Sequence, residues 1–61
     1  MSDPAQAFQV GDSVQITSET QPQTYVISEA QIKKPERIWT YALKQDGKEE
    51  TKWIEEAELK Q

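Results

Sequence analysis

From Phe8 onward, apolar and polar residues alternate in short runs separated by clusters of turn-forming residues, the pattern of short strands rather than long helices. Val10, Val14 and Ile16 fall on even positions with Ser13, Gln15 and Thr17 between them, which predicts a half-buried first strand entered through a turn at Gly11-Asp12. Ser18 to Gln23 is polar and contains a proline, so it is a loop. Thr24 to Ile32 predicts a second strand, rich in β-branched and aromatic residues, but Tyr25 and Ile27 lie on one face while Val26, Ala30 and Ile32 lie on the other. A bulge or bend near Ser28-Glu29 would let such a strand change face partway. Lys33-Lys34-Pro35-Glu36-Arg37 interrupts the pattern and forms a loop tip, since proline lacks the N–H needed to donate into a ladder.

Ile38 to Leu43 alternates strictly, with Trp39, Tyr41 and Leu43 on one side. It runs into Gln45-Asp46-Gly47-Lys48, whose Asp-Gly pair is a strong hairpin signal. The return strand is expected over Glu50 to Ile54, followed by one helical turn at Glu55 to Glu58 that leads Leu59 back onto the core. A competing reading makes Glu49 to Lys60 a single helix, because Glu, Lys, Ala and Leu are good helix formers and Trp53, Ala57 and Lys60 share a helical face. Residues 1–7 carry no period and are expected to be a flexible tail, which leaves residues 8–61 as one domain.

The opening Phe8-Gln9-Val10-Gly11-Asp12-Ser13-Val14-Gln15-Ile16, a strand holding Trp39 and Tyr41, the Asp-Gly hairpin and the closing Trp53-Ile54-Glu55-Glu56-Ala57-Glu58-Leu59 together resemble the small SH3-like barrels, among them the Tudor-like and KOW-like modules. The resemblance spans residues 8 to 60. It implies an all-β fold: a small five-stranded SH3-like barrel with one short 3-10 turn before the last strand. Because that superfold serves many unrelated functions, the resemblance implies an architecture and leaves the role open. The opening segment carries Gln9, Asp12, Gln15 and Glu19 where KOW-like modules place bases against nucleic acid. It also lacks the Ala-Leu-Tyr-type start of polyproline-binding SH3 domains.

Composition narrows the chemistry. The 61 residues are 34% hydrophobic, enough for one small core and too few for a large catalytic scaffold. With neither Cys nor His there is no disulfide framework and no thiolate or imidazole zinc site, so no metal and no cofactor are expected. General-base catalysis would have to rest on Asp, Glu, Lys or Tyr in a barrel that fills its own interior, and the expectation is a protein that is not an enzyme. Apolar runs such as Tyr25-Val26-Ile27 are far too short to span a bilayer, and Met1-Ser2-Asp3 has no basic signal-like region. The expected location is therefore cytoplasmic, without membrane contact.

The net charge of −4 is divided into blocks: acidic over residues 1–28, basic over residues 29–48 and acidic again over residues 49–61. An acidic chain repels phosphate, and only Lys33, Lys34 and Arg37 oppose that. Three charges on a loop more often form a solvated tip, and the run Glu49, Glu50, Glu55, Glu56 and Glu58 lacks the aspartate-rich loop of a calcium site. Five aromatics remain as candidates for recognition: Phe8, Tyr25, Trp39, Tyr41 and Trp53. Trp39 and Tyr41 belong with Leu43 on the core face, whereas Tyr25 and Trp53 sit beside apolar neighbours, so either could point outward. The expected function is a non-catalytic binding or adaptor module that recognises a protein or peptide through Tyr25, Trp53, Lys33, Lys34 and Arg37. The alternatives are a nucleic-acid-binding KOW- or Tudor-like domain using the same bases and aromatics, and a small acidic inhibitor or nucleic-acid mimic of phage or plasmid type.

Overall fold

Every regular element of the computed structural model is extended except a single three-residue 3-10 turn; the structure describes residues 3–45, 47–48 and 53–61. The strands are β1 (Ser13–Ile16), β2 (Tyr25–Lys33), β3 (Ile38–Lys44), β4 (Ile54–Glu55) and β5 (Leu59–Lys60), with the 3-10 turn Glu56–Glu58 between the last two. They form one antiparallel sheet in the order β4-β3-β2-β1-β5. No helix among the described residues is long and apolar enough to cross a membrane.

β2 changes face as its sequence requires. Its register against β3 slips between Ile27 and Glu29, so that Tyr25 and Ile27 point inward before the slip and Ala30, opposite Tyr41, points inward after it. One extra residue in β2 converts a strand with apolar residues on both faces into one with a single core face. Ser28, at the slip, donates its hydroxyl to the Ala42 carbonyl at 3.1 Å.

The order of strands puts β4 and β5 at opposite edges, yet only the 3-10 turn separates them in the chain. Five flat strands would hold those edges about 19 Å apart, whereas four residue steps reach about 13 Å at full extension. The sheet must therefore curl. β1 shows where: Ser13 and Val14 pair with β2, and Gln15 and Ile16 pair with β5. Among the described residues no ladder joins β4 to β5, so the curled sheet is open.

The concave side holds Val14, Tyr25, Ile27, Tyr41, Leu43 and Leu59, with Phe8, Ile16, Ala30, Trp39 and Ile54 packed around them. The Phe8 ring meets Tyr41 edge-on, with centroids 5.6 Å apart. Val10 does not share this face with Val14 and Ile16. It is 61% exposed, because Gly11 at φ 96° turns the chain before β1 begins and breaks the alternation. The turn is fixed on both sides: Gly11 donates to the Ile27 carbonyl at 2.8 Å, and Ile27 donates back to Asp12 at 3.0 Å.

The 49–60 helix is overturned wherever the chain is described. Glu55 and Leu59 are both extended, Ile54 pairs with Tyr41, and Leu59 pairs with Ile16 and is buried. Pairing and burial outweigh the modest helix preference of Glu, Ala and Lys. The expected helical turn is present as the 3-10 turn, one residue shorter at its start than Glu55 to Glu58. The first part of the return strand, residues 50–52, and Asp46 of the hairpin lie outside the described residues. Gly47 has φ 73°, and Lys48 donates to the Gln45 carbonyl at 3.1 Å, closing a turn at the expected place.

A partly exposed polar cluster ties the N-terminal stretch to the last third of the chain. The Tyr41 hydroxyl donates to Glu56 Oε2 at 2.7 Å, and the same oxygen accepts the Ala7 backbone N–H at 3.0 Å. Residues 3–7 have no regular structure and are held by further contacts: Trp39 Nε1 donates to the Pro4 carbonyl at 2.8 Å, Gln6 Nε2 donates to the Phe8 carbonyl at 2.6 Å, and Arg37 Nε lies 3.8 Å from Asp3. Burial, with the Glu56 hydrogen bond next in weight, pushes the Tyr41 phenol up to about 12.

At roughly 0.05–0.15 kcal/mol per residue, a domain of this size has about 3–9 kcal/mol of stability. Leu43→Ala, which empties a fully buried position, should remove about 2–5 kcal/mol and leave much of the population unfolded in a urea titration. A second expectation concerns pH. The folded state keeps Tyr41 neutral above the unfolded value of 10.0, so its contribution is complete below pH 10 and is lost as the pH rises toward about 12. Tyr41→Phe should flatten stability against pH in that window, read by chemical denaturation at successive alkaline pH values; an unchanged slope would remove Tyr41 as its source.

Candidate functional site

The convex face of the sheet is set by the strand positions that the core leaves unused. On β3 these are Ile38, Thr40 and Ala42, and the register places Gln31 of β2 and Glu55 of β4 on either side of Thr40. Lys33 stands opposite Ile38, and continuing the β3–β4 register by one position sets Trp53 opposite Ala42. Short side chains on the central strand between longer ones on its neighbours leave a groove. Its volume is about 480 Å³, and its walls include Gln31, Lys33, Lys34, Trp53 and Glu55, with Thr40 between them.

Two of these side chains have fixed roles within the groove. Thr40 is nearly buried and donates its hydroxyl to the Gln31 carbonyl at 2.8 Å, which holds β2 and β3 together beneath the groove. Glu55 receives Lys33 Nζ at 3.5 Å, a half-exposed pair that adds little to stability but partly neutralises Lys33. Lys34 has no ion-pair partner among the described residues. Trp53, one of the two tryptophans, is 44% exposed, a costly placement for so large a side chain in a domain with so few apolar residues.

Of the five residues expected to form one surface, three meet here: Trp53, Lys33 and Lys34. Tyr25 does not. It is buried on the concave side beside Val14 and Ile27, and its neighbour Val26 is the residue that points outward, at 44% exposure. Its hydroxyl donates to Glu19 Oε2 at 2.7 Å, and that hydrogen bond, together with burial and the Glu19 charge, raises the phenol above its ordinary range. The expected Tyr25–Trp53 patch is therefore not formed: an inward Tyr25 keeps its ring in the core and its polar tip on a loop carboxylate.

Arg37 also stands apart. It closes the β2–β3 hairpin at φ 59°, a left-handed conformation uncommon for a residue with a side chain, and its guanidinium faces Asp3 rather than the groove. The basic cluster of the sequence thus splits, with two lysines on the convex face and the arginine toward the N-terminal stretch. Gln31 and Thr40 were not singled out by sequence reasoning, and Glu55 entered it only as one of the acidic run Glu49, Glu50, Glu55, Glu56 and Glu58. Thr40 was visible as the polar alternate of the Trp39-Tyr41-Leu43 face, but placing Gln31 and Glu55 beside it needs the register across three strands. Among the described residues no three acidic side chains converge in a way that could hold a metal ion.

A second depression, lined by Thr24, Val26, Ser28, Lys44, Gln45 and Gly47, lies near the other end of β2 and brings together no comparable set of aromatic and charged groups. Comparison with protein-family models, curated proteins and solved structures yields no match.

The two tryptophans should respond differently to substitution. Trp53→Ala removes a half-exposed ring and should cost about 1 kcal/mol or less, whereas Trp39→Ala removes a ring packed against the core and should cost about 3 kcal/mol or more. Urea titrations of both variants check this; equal losses would show Trp53 to be part of the core.

Proposed function

We propose that the chain is a non-catalytic binding module that recognises a protein or peptide partner through the convex groove bounded by Trp53, Lys33 and Lys34. The observation that carries this reading is the half-exposed Trp53 in one concavity of about 480 Å³ with Lys34, which has no ion-pair partner among the described residues. A large rigid aromatic contributes affinity through its area, and flanking charges orient the partner. We further propose an SH3-like barrel as the architecture. Its support is the strand order, the splitting of β1 between β2 and β5, and the single 3-10 turn before the last strand.

The chain's acidic balance favours a protein over a nucleic acid, because two groove lysines, one already facing Glu55, oppose a net charge of −4. The test is affinity capture on the tagged chain, with and without nuclease, alongside Trp53→Ala as control. A protein retained after nuclease and lost with Trp53→Ala is the expected result. Recovery of nucleic acid that elutes at moderate salt would overturn the reading in favour of direct nucleic-acid binding.

A further inference from the structure

The convex groove is asymmetric along its length, and that asymmetry describes an occupant. One end is apolar, at Trp53, level with Ala42 of β3. The other is cationic, at Lys33 level with Ile38 and the adjoining Lys34. Four positions along β3 separate these levels, or about 13 Å at the rise of a strand. Midway, level with Thr40, the Glu55 carboxylate faces the groove and draws Lys33 toward itself at 3.5 Å, whereas Lys34 has no ion-pair partner among the described residues.

We infer that the groove takes an extended acidic peptide that places an aromatic or large aliphatic side chain against Trp53 and an aspartate or glutamate, four residues away, against Lys34 and Lys33. The inference rests on the reading of this groove as a peptide-binding site. Alternate side chains of an extended chain point the same way, so residues at i and i+4 both face the groove, and so does i+2. The i+2 side chain meets Glu55, where a second carboxylate would be repelled; a small, neutral or basic residue is required there. Charge complementarity fixes the sign at one end, and the central carboxylate excludes a simple polyacidic run, so the groove selects spacing as well as charge.

A random peptide library displayed on phage, selected against the intact chain and counter-screened against Trp53→Ala, tests this directly. Enriched sequences should carry an apolar residue and an acid four positions apart, with acids depleted at the position between. For a synthetic enriched peptide followed by fluorescence anisotropy, changing the acid to lysine should weaken binding on the order of tenfold. The doubly substituted chain Lys33→Glu/Lys34→Glu should reverse that preference. Both lysines are exposed, and a circular dichroism melt matching the parent establishes that the variant is folded. Peptides that need Trp53 but show no acid at the fourth position would overturn this inference and leave the groove reading standing. Peptides indifferent to Trp53→Ala, or no enrichment over the bare support, would overturn both.

Discussion

The extra residue in β2 is the constraint on which the remaining structure depends. Without the slip between Ile27 and Glu29, the inward residues Tyr25 and Ile27 would lie on the face opposite Ala30, and a sheet of this size could not shelter both. With the slip, β2 contributes a continuous apolar face to the concave side. The added local twist also suits a sheet whose two edges are only a three-residue turn apart. The same slip decides the outer surface, since it turns Glu29, Gln31 and Lys33 outward as one row and so supplies one wall of the groove.

Much of the fold was legible from period alone. The strict alternation of Ile38 to Leu43 identified the central strand and its buried face, and Tyr41 and Leu43 are fully enclosed there. The conflict of faces within β2 predicted an irregularity at Ser28-Glu29, and the register slips at that point. The Glu55 to Glu58 segment was harder, because its composition suits a helix; only the pairing partners of Ile54 and Leu59, which are distant in sequence, decide it. Val10 misled for the opposite reason. Its parity matched Val14, but a left-handed glycine between them resets the alternation, and parity counts only within an unbroken strand.

The candidate site was legible in part, and the division follows from what each residue's position encodes. Lys33 and Lys34 were visible as a local cluster, and Trp53 as an aromatic with an uncertain face. Tyr25 and Trp53 posed the same problem in sequence, each next to an aliphatic neighbour that could equally have filled the core. The structure divides them: Tyr25 has a carboxylate from the 17–24 loop to receive its hydroxyl and goes inside, while Ile54 takes the inner place beside Trp53. Sequence spacing contains no record of Glu19 lying beside Tyr25, so it could not have made that choice.

The carboxylate of Glu56, shared by Ala7 and Tyr41, has a consequence for the order of assembly. The hairpin of β2 and β3 closes over a four-residue loop and sacrifices little chain entropy, so it is suited to form early. The bond from Ala7 to Glu56 and the pairing of Ile16 with Leu59 each enclose more than forty residues, and their loops become short in effect only once the hairpin already bridges the middle of the chain. Topology therefore ranks the two ends of this protein as the last to lock and the first to open. In native-state hydrogen exchange, the amides of β5 and the N-terminal stretch would exchange through openings that leave the central hairpin intact.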